Sequence, residues 1–387
     1  MPSSLNRPSC LLSRANSRSP WSTLTSTWVW PSTAVEKIGK STSTIVLDGE
    51  KIAQVGHISP AEAKSAEVTD VSGCYLFPGF IDAHTHFDLD VCNTTTADDF
   101  ESGSKSAIRG GTTTVIDFAC PNKGESLAYG LDLWHKKADG RSSCDYSFHM
   151  TIDDWNEGIE GELDDMFAAG ITSFKMYLTY PAMMIGDGAV YSALKALKKR
   201  GGIAGVHCEN AGVIDARIAE LKASGLGADV VSHPISRPDY LEAEAVSRLL
   251  RIAQAADAPV IIVHTTNRAS LDEISAARRR GQTVYVETCP QYLALDDGVY
   301  YDPDFSSAAR YVCAPPIRSQ EDSEALWKAL RRGEVQTIST DHCSFTLEQK
   351  DMGRDDFTKI PGGLPGVETR GEVVYTVAIN ENKLSLG

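Results

Sequence analysis

The sequence has 387 residues, 42% of them hydrophobic, and this composition excludes a disordered or collagen-like chain. A net charge of -15 at pH 7 argues against nucleic acids and anionic membranes as partners, and no apolar run approaches the roughly 20 residues that span a bilayer. The nine cysteines are odd in number and include no C-x-x-C pair, which indicates reduced thiols in an intracellular, cytoplasmic protein.

The N-terminal residues 1–43 have an atypical composition. They are rich in Ser, Thr and Arg and contain no acidic residue before Glu36. Two interpretations stay open, a poorly ordered or misread start and a mitochondrial-type targeting segment, and we favour the first. The following stretch STIVLDGEKIAQVG (43–56) predicts a β-hairpin that turns at Asp48-Gly49.

Eight short apolar or β-branched runs then alternate with segments of helical spacing. The runs cover residues 75–84, 112–118, 146–150, 172–177, 202–207, 259–264, 283–288 and 335–340. This alternation predicts a parallel α/β sheet, and eight strands are the number that closes a (β/α)8 barrel. An open doubly wound sheet is the competing architecture. Its nucleotide-binding versions lose support because neither G-x-G-x-x-G nor G-x-x-x-x-G-K-[ST] follows an early strand.

Ligand-capable side chains lie in or directly after several of these runs. They are His84 and His86 at the first run, Lys175 in the fourth, His207 and His264 at the ends of the fifth and sixth, and Asp341 after the eighth. Taken singly, each is better explained as a hydrogen-bonded, ion-paired or helix-capping residue. In a barrel, however, these strand ends open into one active-site mouth. Four imidazoles and a carboxylate gathered there favour a Zn²⁺ site.

The charge balance of such a site suggests a role for Lys175. Two divalent cations carry +4, whereas four neutral histidines and one aspartate contribute only -1. An ammonium group has donors but no lone pair, so it cannot be a ligand. A lysine carbamate, formed with CO₂, would supply a carboxylate-like bridge between two ions.

Long motifs carry a resemblance to a known family. They are PGFIDAHTHFDLD, SFKMYLTY, GVHCEN, PVIIVH, VETCPQYLALDD, APPIRS, STDHCSF and GGLPGVETR. In this order they resemble the dihydropyrimidinase and D-hydantoinase (phenylhydantoinase-like) branch of the amidohydrolase superfamily, over about residues 44–381. The resemblance implies a (β/α)8 barrel over 75–387 and a small β-sandwich that includes 44–74. We expect this sandwich to be incomplete, because relatives continue beyond the C-terminus of this chain with the strands that complete it.

The resemblance also implies a site with two Zn²⁺ ions per chain, with other divalent metals as the alternative. His84, His86 and Asp341 match the ligands of the more buried ion, and His207 and His264 match those of the more exposed ion. A carboxylated Lys175 and a hydroxide bridge the two. Tyr180 matches the tyrosine that polarises the substrate carbonyl, and Asp341 matches the general base and acid.

Two backbone segments, at Cys313-Ala314 and Gly362-Gly363, match those that grip a cyclic imide in this family. The family has Ser where this chain has Ala314 and Asn where it has Gly362, which leaves the positioning of the ring in question. Residues 87–100 and 179–188 are expected to lie over the mouth. There Phe87, Leu89, Met183 and Met184 either form an apolar pocket for the ring substituent or only pack the loops.

The activity implied is ring opening of 5,6-dihydropyrimidines or 5-substituted hydantoins to N-carbamoyl amino acids, by attack of the bridging hydroxide. The resemblance also implies a homotetramer or homodimer. Dihydroorotase loses support because Phe87 stands where an Arg is expected. An allantoinase-like amidase shares the metal residues, although Tyr180 favours the hydantoinase type. Dihydropyrimidinase-related structural or signalling proteins lose ligands that this chain keeps.

Overall fold

The computed structural model describes residues 44–49, 51–56, 67–69, 71, 74 and 76–385. Both interpretations of residues 1–43 lie outside these residues. The chain divides into two compact units, and the larger runs from Gly79 to Lys383. The domain boundaries given by the resemblance stay a prediction.

The smaller unit contains the predicted hairpin. Strands β1 (Thr44–Asp48) and β2 (Lys51–Gly56) pair antiparallel. The turn passes through Gly49 at a φ of 58°, a left-handed conformation that glycine adopts without steric cost. The prediction of a hairpin that turns at Asp48-Gly49 is therefore confirmed.

The larger unit is built around a parallel sheet. Its strands are β3 (Phe80–Thr85), β4 (Asp90–Val91), β5 (Thr94–Thr95), β6 (Thr112–Ala119), β7 (Asp145–Thr151), β8 (Ser173–Tyr177), β9 (Ile203–His207), β10 (Val260–Ile262), β11 (Val284–Thr288) and β12 (Thr337–Ile338). All but the short β4–β5 pair form one eight-stranded sheet in chain order. Thr85 and His342 form a parallel bridge, so the chain just beyond β12 meets β3. The predicted (β/α)8 barrel is confirmed.

Helices follow most of these strands. They are α1 (Phe100–Arg109), α2 (Leu127–Ala138), α3 (Glu157–Ala168), α4 (Asp187–Lys199), α5 (Ala211–Ala223), α6 (Ser232–Ser236), α7 (Asp239–Ala256), α8 (Arg268–Arg279), α9 (Pro290–Ala294), α10 (Phe305–Ala309), α11 (Gln320–Arg331), α12 (Leu347–Lys350) and α13 (Arg370–Tyr375). Several start at polar caps, such as Asp99, whose carboxylate accepts from two N–H groups of α1. No helix of residues 76–385 is long and apolar enough to cross a membrane.

The core lies between the sheet and its helices. Central strands such as β8 and β9 are buried along almost their whole length, as expected for parallel strands covered on both faces. α7 buries one apolar face that includes Leu249 and Leu250. This packing leaves the C-terminal strand ends free to carry polar side chains.

Candidate metal centre

His84, His86 and Asp341 form the first part of the site. His84 lies in β3 and His86 follows it, and the N–H of His86 donates to the carbonyl of His342 at 2.7 Å. This bond brings Asp341 beside both histidines. Its Oδ1 atom lies 3.1 Å from Nε2 of His84 and 3.2 Å from Nε2 of His86. Three ligand atoms from these residues lie within 4.8 Å of one another, which suits a metal ion.

Glu287, at the end of β11, orients His84. Its Oε1 atom lies 2.6 Å from Nδ1 of His84 and accepts the backbone N–H of His264 at 3.2 Å. A proton held on Nδ1 leaves the lone pair of Nε2 available to a metal. Burial opposes a charge on the imidazole, yet Glu287 and Asp341 raise the pKa of His84 to about 9. The carboxylates of Glu287 and Asp341 therefore favour a positive charge at or beside His84.

His207 and His264 form the second part. Their ring centroids are 4.5 Å apart, and the ring of His264 is 5.5 Å from that of His84. Nε2 of His207 lies 2.7 Å from Oε2 of Glu209, and that oxygen also accepts from Nη1 of Arg237 at 2.6 Å. Burial lowers the pKa of both histidines, so each is neutral and has a lone pair.

Lys175 lies beside His84, and its charge also acts on His207 and His264. Its Nζ is 3.5 Å from Nε2 of His84, and the residue is 1% exposed. Within the part of the chain that the structure describes, no carboxylate oxygen lies within ion-pair distance of Nζ. Burial lowers the pKa of the amine. A buried ammonium without a paired carboxylate is costly, so this lysine is poorly explained as a structural cation.

Three site residues have backbone conformations that are uncommon outside glycine. The φ angles are 66° for Tyr180, 35° for His264 and 53° for Asp341. Tyr180 begins a tight turn in which the N–H groups of Met183 and Met184 donate to its carbonyl, both at 2.8 Å. Its ring lies 5.1 Å from that of His207. Strain of this kind persists where the surrounding structure holds a functional side chain in place.

The two backbone segments expected to grip a substrate are neighbours. The N–H of Gly363 donates to the carbonyl of Val312 at 3.0 Å. A Cβ atom placed on Gly362 would lie 3.9 Å from the backbone nitrogen of Ala314. The carbonyl of Cys313 accepts from Nε2 of His233 at 2.8 Å.

Two of the candidate pocket residues, Phe87 and Leu89, are buried in the loop after β3. Phe87 is fully buried, and its ring lies edge-on to Phe100 at 5.6 Å and to His342 at 5.3 Å. Leu89 is 7% exposed. This packing favours the alternative in which these two side chains fill the loop. Met184 is 37% exposed and stays a candidate for contact with a ring substituent.

Sequence reasoning missed the residues that orient the ligands. Glu287 and Glu209 carried a usable signal, because both follow the strand-end pattern that identified the histidines. Arg237 lies in the connection between α6 and α7 and carries no such signal. Asp117 in β6 is fully buried and accepts from Thr85 Oγ1 at 2.8 Å and from the N–H of Phe87 at 2.9 Å. It therefore binds the residues on both sides of His86, the side chain of Thr85 and the backbone of Phe87.

Comparison with known proteins gives a consistent result. A sequence model of the amidohydrolase family matches residues 75–359. The chain is 41% identical to the D-hydantoinase of Streptomyces coelicolor over 339 residues, which are 87% of this chain and 72% of that protein. It is 40% identical to the D-hydantoinase of Geobacillus stearothermophilus over 345 residues, 88% of this chain and 72% of that protein. The dihydropyrimidinase structure from Brevibacillus agri is similar with a TM-score of 0.86 and 39% identity, covering 89% of this chain and 74% of that one.

Proposed function

Because the chain belongs to the amidohydrolase family, and within it to the hydantoinase and dihydropyrimidinase branch, we propose that it opens 5,6-dihydropyrimidine or 5-substituted hydantoin rings. The enzyme is a hydrolase of the type that acts on cyclic amides, and the product proposed is an N-carbamoyl amino acid. The observation that carries the proposal is the convergence of His84, His86, Asp341 and Lys175 beside the His207–His264 pair.

The donor set fits a pair of divalent ions, and we assign Zn²⁺ because imidazole and carboxylate are its usual ligands. His84, His86 and Asp341 would hold one ion, His207 and His264 the other, and a carboxylated Lys175 would join them. When bound, the ions activate water as a nucleophile near neutral pH and polarise the substrate carbonyl. Glu287 and Glu209 keep the imidazoles of His84 and His207 in the required orientation.

Tyr180 is proposed to donate a hydrogen bond to the carbonyl oxygen that becomes negative during attack. Burial raises the pKa of Tyr180 well above 10, although Arg237 opposes this effect, so the hydroxyl keeps its proton at neutral pH. A donor in this position is often worth about 3 kcal/mol in the transition state. The left-handed backbone of Tyr180 and the turn after it fix the place of the ring.

Asp341 is proposed to move the proton. Its Oδ1 atom faces both His84 and His86, so we assign the transfer to Oδ2. This oxygen would accept a proton from the attacking water and deliver it to the leaving ring nitrogen, acting first as base and then as acid. The polar edge of the ring would bind the backbone at Cys313-Ala314 and Gly362-Gly363.

The test is a metal analysis combined with ring-opening assays. Purified protein should contain about two zinc ions per chain and hydrolyse dihydrouracil or a 5-monosubstituted hydantoin faster than allantoin or dihydroorotate. Preference for allantoin would instead support the allantoinase type. Protein with fewer than one bound metal per chain and no hydrolysis of the four substrates would contradict the proposal.

A further inference from the structure

Lys350 is a buried lysine outside the proposed metal site. It ends the short helix α12 and is 3% exposed. Its Nζ donates to three backbone carbonyl oxygens, at 2.8 Å to Val312, 2.7 Å to Pro361 and 2.8 Å to Gly363. An ammonium group has three N–H donors, so these three acceptors use all of them.

The ammonium group of Lys350 is surrounded by carbonyl groups and not by carboxylates. In the described residues no carboxylate oxygen lies within ion-pair distance of its Nζ, which is 5.6 Å from the centre of the Phe345 ring. Burial lowers the pKa of Lys350 to about 8, so the charged form with three donors still predominates at pH 7. An ordinary salt bridge therefore does not explain the burial of this lysine.

The three carbonyl groups lie in or directly beside the two segments expected to grip the substrate. Val312 immediately precedes Cys313-Ala314, whereas Pro361 and Gly363 flank Gly362. Apart from the side chain of Lys350, the two segments are joined by the N–H of Gly363, which donates to the carbonyl of Val312 at 3.0 Å. One ammonium group thus contacts both segments at once.

Gln349, the residue before Lys350, connects α12 to the loop of residues 87–100, which is expected to lie over the mouth. Nε2 of Gln349 donates to Oγ1 of Thr94 at 2.8 Å and to the carbonyl of Thr95 at 2.7 Å, both at β5. The hydroxyl of Thr346 caps α12 by accepting the N–H of Gln349. The helix is thereby held on the side of the loop as well as on the side of the two segments.

We infer that Lys350 is a positioning residue whose ammonium group sets the spacing of the two backbone segments that bind the substrate ring. The inference rests on the proposed function, because the binding role of these segments comes from it. Lys350 need not contact the substrate itself. Its loss should let the segments separate, so that the ring binds weakly while the metal ligands, none of which belongs to either segment, keep their places.

The experiment replaces Lys350 by Met, which has a similar length and no donors. For the holoenzyme variant we expect KM for dihydrouracil or a 5-monosubstituted hydantoin to rise by about tenfold, since small displacements of binding groups have large effects. Zinc content should stay at the wild-type level. The matched control is Lys359→Met, at an exposed lysine between α12 and Gly362, for which KM should not change.

A second measurement does not depend on turnover. Hydrogen–deuterium exchange of a peptide covering residues 360–366 should be at least about tenfold faster in Lys350→Met, because the Gly363 amide is less protected. If the wild-type protein opens none of the rings, the proposed function fails. The exchange measurement still tests whether Lys350 holds the two backbone segments together. If Lys350→Met does not fold, Lys350→Gln, which keeps two N–H donors, replaces it. A folded variant with wild-type exchange, or with KM within twofold of wild type, would overturn the inference.

Discussion

The Nε2 atom of His207 lies 2.7 Å from Oε2 of Glu209, a carboxylate that is itself fully buried. The same oxygen accepts from Arg237 at 2.6 Å. Arg237 and His207 together hold the pKa of Glu209 at about 2 against the opposing effect of burial. The carboxylate is therefore ionised and fixes both the ring orientation and the tautomer of His207, which leaves Nδ1 free for a metal.

This relationship predicts the effect of Glu209→Gln. The substitution keeps the shape of the side chain but removes the charge that orients His207. We expect zinc retention in a chelator competition to weaken by about 10- to 100-fold. Glu244→Gln, at an exposed carboxylate on α7, serves as the control and should retain zinc normally. Equal retention in both variants would show that Glu209 does not support a metal ligand.

Lys175→Met tests the proposed bridge. Methionine fills a similar volume in this buried place but cannot form a carbamate. We expect the variant to hold about one zinc ion or fewer, and kcat/KM to fall by more than about 100-fold, because a direct ligand should matter more than its hydrogen-bonded neighbours. Metal analysis and the ring-opening assay measure both. Retention of both ions with full activity would rule out the bridge.

The strand-end residues could be predicted from the sequence for a physical reason. Parallel strands place their C-terminal ends on one edge of the sheet, so His84, His207 and Asp341 meet although they are far apart in the chain. Strand boundaries were less accurate, since the run 335–340 contains only a two-residue strand in the structure. The expected position of the candidate ligands does not depend on the exact strand boundaries, because the loops after the strands begin at the same edge of the sheet.

The residues that could not be predicted depend on contacts from other elements. No pattern around Lys350 indicates that it is buried, because its three acceptors are backbone carbonyl groups 11, 13 and 38 residues away along the chain. The packing of Phe87 depends on Gly103 of α1, where a Cβ atom would come within 2.3 Å of its ring. The sequence pattern of a single element does not indicate which side chains it will contact in other elements.

Two adjacent glycines should respond differently to substitution by alanine. A Cβ atom on Gly363 would lie 2.3 Å from the carbonyl oxygen of Cys343, a contact that requires the backbone to move. We expect Gly363→Ala to lower the free energy of unfolding by about 1–3 kcal/mol. In Gly362→Ala the nearest contact is an ordinary 3.9 Å, and the change should stay below about 0.5 kcal/mol. Urea unfolding of the pair measures the difference, and equal stability would contradict it.

Asp98 should stabilise the loop over the mouth in a pH-dependent way. Its Oδ2 accepts from Nε2 of His342 at 3.0 Å and from Oγ of Ser344 at 2.7 Å, and its Oδ1 accepts from Oγ of Ser102 at 2.8 Å. The bond from His342 is the largest of the effects that hold the pKa of Asp98 well below its ordinary value of 3.8. A carboxyl group whose pKa is lower in the folded chain stabilises the fold above 3.8, and this contribution is lost progressively as the pH falls from that value toward the lower pKa of the folded chain.

Asp98→Asn should therefore lower the free energy of unfolding by about 1–3 kcal/mol at pH 7, since hydrogen bonds to a charged acceptor are lost. The difference from the wild type should narrow below pH 4, where the wild-type carboxyl group begins to take up a proton in the unfolded chain. Urea unfolding between pH 3.5 and 7 measures this difference at each pH. Asp272→Asn, at an exposed position on α8, is the control and should show a change below about 0.5 kcal/mol throughout. A deficit in Asp98→Asn that stayed constant or grew on acidification would mean that the charge of Asp98 does not hold the loop.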